Sequence, residues 1–429
     1  MHSADKFAVV SGGRSLRGEI ALEGAKNVAI KALPAALLSS EPVVLHRVPT
    51  SLRDVQICIE MMRSAGADVA VDGTTVTVHA ARLGERVERP GNASIRTSVL
   101  FLAPLLARLG EAIVPEPGGD AIGARSYDLH VLALENLGAT VTTGPDATVV
   151  ANVDGRLHGG PISFRVRTTG GTETALLAAV TATGLTEIYN AHTRPEVRDL
   201  VGVLTAMGAD IEIPCSGLIR VRGVDMLHGA EYELMTDPVE AFTYLTAAAA
   251  TSGDVTVHGA DIRALEVPLI FLRESGADVR MDGSSIRVMG SSTVGPIDIA
   301  ASAFPGLETD FQPLFGALAL LGQGRSRIAD LVFPERFEYA AQMALNGADV
   351  EIGSGAAVFH GPTRVRGGST LRAPDIRGGA ALVIAALSSS GQTRIENWHE
   401  IERGYVRLEE RLSSLGADIL VHTVEQLVG

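Results

Sequence analysis

Residues 115–130 read Pro-Glu-Pro-Gly-Gly-Asp-Ala-Ile-Gly-Ala-Arg-Ser-Tyr-Asp-Leu-His. Glycines and prolines surround Asp120, and the run closes on Arg125. Glycine lets backbone N–H groups approach a ligand closely and permits positive φ. An acid and a cation on such a stretch suit a flap that folds over an anionic substrate and brings a proton donor with it. A second chemical stretch is Gly24-Ala-Lys-Asn27, which opens an apolar, helix-like run. Lys6, Lys26 and Lys31 are the only lysines, so 33 of the 36 basic residues are arginine. A lysine kept against that bias points to a position that requires one, and two of the three lie five residues apart.

The elements that must position these residues are set by length and pattern. At 429 residues the chain exceeds one ordinary core, so two domains are expected. A net charge of −14 with no basic face disfavours a nucleic-acid partner. Cys58 and Cys215 imply no disulfide framework; both lie on apolar stretches and are expected to be buried. The eleven histidines form no metal spacing, and no dinucleotide fingerprint is present, so neither metal nor cofactor is expected. No apolar run reaches about 18 residues and the N-terminus lacks a signal-peptide pattern, so the expectation is a soluble cytoplasmic protein with no membrane partner.

A repeat organises the whole chain. Helix-like patterns end in Gly-Ala-Asp or Gly-Ala-Thr six times, at Gly66, Gly138, Gly208, Gly276, Gly347 and Gly416. Glycine after a helix suits a left-handed C-cap. A hairpin-like alternation follows, as in Asp278–Val288 with Asp282-Gly283 at or near its turn. The other half of each repeat is a second helix and a strand: Thr172–Gly184 then Leu185–Tyr189, Glu240–Gly253 then Asp254–His258, Gly379–Gly391 then Gln392–Glu396. These second helices are apolar on every side and therefore internal. Six units of about 70 residues suggest two lobes of three, with ligands in the cleft between lobes. The N-terminal strands Phe7–Val10 and Leu16–Leu22 are expected to complete the last unit. The expected lobes are 26–235, carrying the flap at 115–126, and 1–25 plus 236–429.

Gly24–Asn27, the flap at Gly119–Arg125, Phe304–Gln312, Phe333–Phe337 and Ile401–Tyr405, in order on this repeat, resemble the enolpyruvyl transferases. The resemblance runs from about residue 7 to 425 and is greatest to the branch that acts on a sugar nucleotide. It implies an α/β fold, the two-lobed inverse α/β barrel of EPSP synthase, with six βαβαββ-type repeats. It also implies transfer of the enolpyruvyl group of phosphoenolpyruvate to the 3-hydroxyl of UDP-N-acetylglucosamine with release of phosphate. That reaction is the first committed step of peptidoglycan synthesis.

The resemblance assigns residues as well. Lys26 and Asn27 would contact phosphoenolpyruvate and the acceptor, with Lys26 at a helix start where the dipole also favours anions. Arg125, Arg336, Arg377 and Arg403 match anion-binding arginines, and Arg96 a contact near both substrates. Asp310 matches the residue facing the transferring hydroxyl and would be the base. Asp375 pairs with Arg377 to support the intermediate. Ser126, Tyr127, Asp128, Leu129 and Val332 fall at sugar-nucleotide positions. The family usually carries a cysteine on the flap as general acid; here Asp120 stands in that place. A closed lid and neighbouring phosphate would raise its pKa enough to hold a proton. A carboxylate is a poor target for the epoxide fosfomycin, so insensitivity is expected. Asp237 lacks the family's usual neighbours and reads as a helix cap.

The nucleotide end departs from the family. Ser126 replaces a usual proline, Arg165–Gly170 arranges its cations differently, and the linker carries Leu307-Glu308. Those departures leave as an alternative a paralogue acting on another uridine nucleotide such as UMP; the missing flap cysteine leaves a second, a non-catalytic homologue that binds a sugar nucleotide.

Overall fold

The computed structural model describes residues 6–91, 95–119, 122–123 and 126–423. Asp120 and Arg125 lie outside the described residues. The chain divides into two compact units, one formed by Met1–Glu23, Asp120–Ala124 and Thr236–Gly429, the other by Gly24–Gly119 and Arg125–Met235.

Each unit holds three small sheets and three internal helices. In the unit starting at Gly24 the internal helices are Lys26–Ala35, the 3₁₀ segment Arg96–Phe101 continued by Leu102–Leu109, and Thr169–Ala179. In the other they are Pro238–Ala250, Gln312–Ala319 and Ile376–Leu387. Pro238–Ala250 and Ile376–Leu387 are buried at every position, in keeping with sequences that are apolar on nearly every side. Outer helices such as Arg53–Ser64 and Ile262–Glu274 bury one face only.

The six repeat glycines, from Gly66 to Gly416, all adopt positive φ, between 94° and 101°. Only glycine takes that conformation without strain, so each ends its outer helix and turns the chain into the hairpin. In the fourth repeat the hairpin strands Asp278–Asp282 and Ser285–Met289 pair Asp282 with Ser285, leaving Gly283 and Ser284 as the loop.

The internal helices begin earlier than the sequence pattern suggests. Thr168, Asp237 and Asp375 are their N-caps, and each side chain accepts a backbone N–H of the first turn. The apolar run starts only after that turn.

The two N-terminal strands part company. Lys6–Ser11 lies between Gln392–Glu396 and Asp418–Thr423, so it supplies the strand the sixth repeat lacks. Arg17–Ala21 instead pairs in parallel with Asp254–His258, the fourth repeat's strand. The expectation that both complete the last unit thus holds for the first alone. A second correction concerns Cys215. Cys58 is buried, but Cys215 is exposed, because Asp210–Cys215 is the edge strand of its sheet.

Candidate active site

In the unit starting at Gly24, Lys26 is the first residue of its helix and is buried. Its Nζ lies 3.1 Å from Asp54 Oδ2 on the neighbouring outer helix. A cation at a helix N-terminus is repelled by the dipole, and Asp54 offsets that cost. Asn27 is half-buried, and its carbonyl accepts Lys31 Nζ at 2.5 Å. Lys31 also reaches within 3.5 Å of Glu173, whose carboxyl is pushed above its ordinary range by burial, against the pull of Lys31.

Arg96 opens the second internal helix and donates to the Ser126 carbonyl at 2.6 Å. Ser126 is exposed, and its hydroxyl accepts the Asp128 N–H at 3.2 Å. Asp128 is also paired with Arg165. The Ser126 hydroxyl, with Arg165, holds the Asp128 carboxyl below its usual value. Tyr127 and Leu129 flank this turn, half-buried. The structure therefore joins Arg96, Ser126 and Asp128 into one polar surface and sets Lys26 with Asp54 in another.

In the unit containing Thr236–Gly429 the predicted residues form a denser cluster. Arg336 is buried; its Nη1 lies 2.8 Å from Asp310 Oδ1 and its Nη2 3.2 Å from Asp375 Oδ1. Burial opposes the charge on Arg336, but Asp375 and Asp310 outweigh it and hold its pKa above the ordinary value. Arg377, also buried, lies 3.6 Å from Asp237 Oδ2. Asp237 is thus a cap, as expected, and an ion-pair partner as well. Arg336 Nε and Arg377 Nη1 are buried donors with no hydrogen-bond partner among the described residues. Buried donors left unpaired are costly, and a polyanionic ligand would satisfy them.

Arg403 Nη1 lies 2.7 Å from Glu400 Oε2. Val332 is 42% exposed on the loop after strand Gly324–Asp330. Asp330 fixes that loop by accepting the Val332 and Phe333 N–H groups at 2.8 and 2.7 Å.

The sequence reading missed Asp54, Asp330 and Glu400 as partners of these residues. Nothing in their spacing marks them. Among the described residues no group of three or more His, Cys, Asp or Glu side chains is placed to hold a metal ion, and no helix is long and apolar enough to cross a membrane.

The family model for EPSP synthase (3-phosphoshikimate 1-carboxyvinyltransferase) matches residues 10–412. The chain belongs to the EPSP synthase family. It is an enolpyruvyl transferase. Two UDP-N-acetylglucosamine 1-carboxyvinyltransferases illustrate the similarity of this family member to others. The one from Sphingopyxis alaskensis is 39% identical over 419 residues, 96% of this chain and 98% of that protein. The one from Corynebacterium efficiens is 40% identical over 416 residues, 97% of this chain and 98% of that protein. The crystal structure of the enolpyruvyl transferase NikO from Streptomyces tendae superposes with a TM-score of 0.88 at 26% identity, covering 98% of this chain and all of that one. An EPSP synthase from Acinetobacter baumannii, 18% identical with a TM-score of 0.73, shares the fold. The EPSP synthase-like architecture implied by the resemblance is therefore the observed one.

Proposed function

We propose that this enolpyruvyl transferase moves the enolpyruvyl group of phosphoenolpyruvate to the 3-hydroxyl of UDP-N-acetylglucosamine, in the cytoplasm, opening peptidoglycan synthesis. The observation that carries this reading is the near-full-length match to proteins of that name, at 37–40% identity.

The chemistry is addition followed by elimination. The sugar oxygen bonds to C2 of phosphoenolpyruvate while the methylene carbon takes a proton. The C–O bond to phosphate then breaks, the new methyl group returns a proton, and an enol ether and inorganic phosphate leave. Asp310, held by Arg336, is the base that receives the hydroxyl proton. Asp120 is the acid that delivers a proton to carbon. Lys26, Arg336, Arg377, Arg403 and Arg125 bind the phosphate and carboxylate, and the unpaired Arg336 Nε and Arg377 Nη1 are suited to that task. Arg96, Asn27, Ser126, Tyr127, Asp128, Leu129 and Val332 bind the acceptor, and Asp375 supports the intermediate through Arg336.

Phosphate release from phosphoenolpyruvate with UDP-N-acetylglucosamine, UMP or shikimate 3-phosphate tests the reading. Turnover with the sugar nucleotide that collapses in Asp120→Ala supports acceptor and acid together. Turnover with UMP alone moves the chain to another uridine-dependent pathway, and no release with any acceptor overturns the catalytic assignment.

A further inference from the structure

Arg377 lies over the face of Tyr405, its Cζ 4.9 Å from the ring centroid. The Tyr405 hydroxyl and the guanidinium also interact electrostatically. Behind Tyr405 sits Thr243, with its Oγ1 2.8 Å from the tyrosine oxygen. Thr243 Oγ1 is in addition 2.7 Å from the Val239 carbonyl, one helical turn back. All of these side chains are buried.

Counting hydrogens fixes the direction of this chain. The Val239 carbonyl can only accept, so the single Thr243 hydrogen goes to it. Thr243 must then accept from Tyr405, which commits the tyrosine's only hydrogen. The Tyr405 oxygen is then left with lone pairs alone, so toward the nearby Arg377 charge it can only act as an acceptor. Burial raises the Tyr405 pKa, which keeps that hydrogen in place at working pH. The Asp237 carboxylate, 3.6 Å away, and the Tyr405 ring face restrain Arg377, while its Nη1 has no partner among the described residues.

We infer that Tyr405, polarised by Thr243, is a positioning residue that fixes the Arg377 guanidinium so that Nη1 stays directed to the anionic substrate. This inference rests on the proposed role of Arg377 in substrate binding. It concerns a residue of the Ile401–Tyr405 motif that touches Arg377 rather than the reacting atoms.

The test uses full-length Tyr405→Phe, Thr243→Val, the double variant and Arg377→Lys, each assayed by phosphate release with thermal melting alongside. Tyr405→Phe keeps the ring and removes one oxygen. The expected result is a roughly tenfold to hundredfold loss in kcat/KM for phosphoenolpyruvate, the range for a hydrogen bond to a charged group. The KM for the acceptor and the melting temperature should stay near wild type. Thr243→Val frees the tyrosine hydrogen and should cost less. In the Tyr405→Phe background it should cost nothing further, since both act through one hydroxyl. Additive losses overturn the inference, as does a kinetic loss matched by an equal fall in melting temperature. Wild-type kinetics in Tyr405→Phe with an impaired Arg377→Lys overturns the positioning role alone. Wild-type kinetics in Arg377→Lys overturns the underlying role of Arg377.

Discussion

Asp375 carries one oxygen on which three donors converge, so two substitutions separate its two roles. Oδ1 accepts the Arg377 and Gly378 N–H groups, each at 3.1 Å, and Arg336 Nη2 at 3.2 Å. The residue is 4% exposed. Asp375→Ala removes the helix cap, costing about 1 kcal/mol. It also breaks a buried ion pair, which costs about 3–5 kcal/mol when the remaining partner is stranded. Arg336 is not stranded, because Asp310 stays 2.8 Å away, so the lower end applies. The expected total is about 4 kcal/mol. Asp375→Asn keeps an acceptor for both N–H groups and loses only the charge facing Arg336. A hydrogen bond to a charged group is worth about 1.5–3 kcal/mol, and Asn recovers part of it, so about 2 kcal/mol is expected. The chain's single tryptophan, Trp398, is buried in the same unit and reports unfolding of that unit by fluorescence in urea. Both variants should also lose activity through the displaced Arg336. An Asn variant as unstable as the Ala variant would refute the division between cap and charge. Two variants within about 0.5 kcal/mol of wild type, the range of an ordinary surface change, would refute the buried network itself.

Three further outcomes follow from named contacts. Lys26→Met should raise the KM for phosphoenolpyruvate and, by breaking the buried pair with Asp54, cost about 3 kcal/mol in urea unfolding, whereas Asp54→Asn with Lys26 intact should cost less. Burial pushes the Glu240 carboxyl up from 4.5 to about 7. The folded chain therefore holds that proton where the unfolded chain has lost it, and stability present below pH 4.5 is lost as pH rises through 7. The loss is bounded by about 3 kcal/mol. Glu240→Gln should flatten this slope between pH 5 and 8; parallel curves for variant and wild type would count against it. Wild type should gain no fosfomycin mass by intact-protein mass spectrometry, while Asp120→Cys should gain one; an adduct on Asp120 would overturn the first half.

How much of this was legible depends on which physical signal each residue carries. The repeat glycines are readable because a left-handed helix end excludes almost every other residue. The internal helices are readable because no polar face interrupts them, although their starts are not, since Thr168, Asp237 and Asp375 look like loop residues until their caps form. Lys26 is visible because the composition makes lysine rare. Asp54 is not, being one of 50 acids on an ordinary amphipathic helix. Glu173 and Glu240 did carry a signal, a carboxylate inside an otherwise apolar run, and each proves to be paired with a half-buried cation, Lys31 and Arg411 respectively. The destination of Arg17–Ala21 could not be read, because parallel pairing leaves no local turn to mark it.

The placement of the charged residues has a common cause. Within each unit the internal helices are surrounded by other elements, so their middles are mostly apolar, with Lys31 and Glu173 paired to each other as the exception, and polar side chains collect at the N-terminal turns. Those turns present unpaired N–H groups and the positive end of the dipole, which disfavour cations. Lys26 and Arg377 nevertheless stand there, first and second in their helices. Each is held by an acid: Asp54 from an adjacent helix, Asp237 from the cap of another internal helix. An acid that caps backbone donors with one oxygen and holds a guanidinium with the other keeps the cation in place without fully neutralising the dipole behind it. Asp237 has that arrangement, with Oδ1 on Val239 and Glu240 and Oδ2 toward Arg377. At each of these helix starts, positive potential comes from backbone and side chain together. Such a site suits a substrate that brings phosphate and carboxylate at once, and it accounts for acids being as numerous as cations where an anion is to be bound.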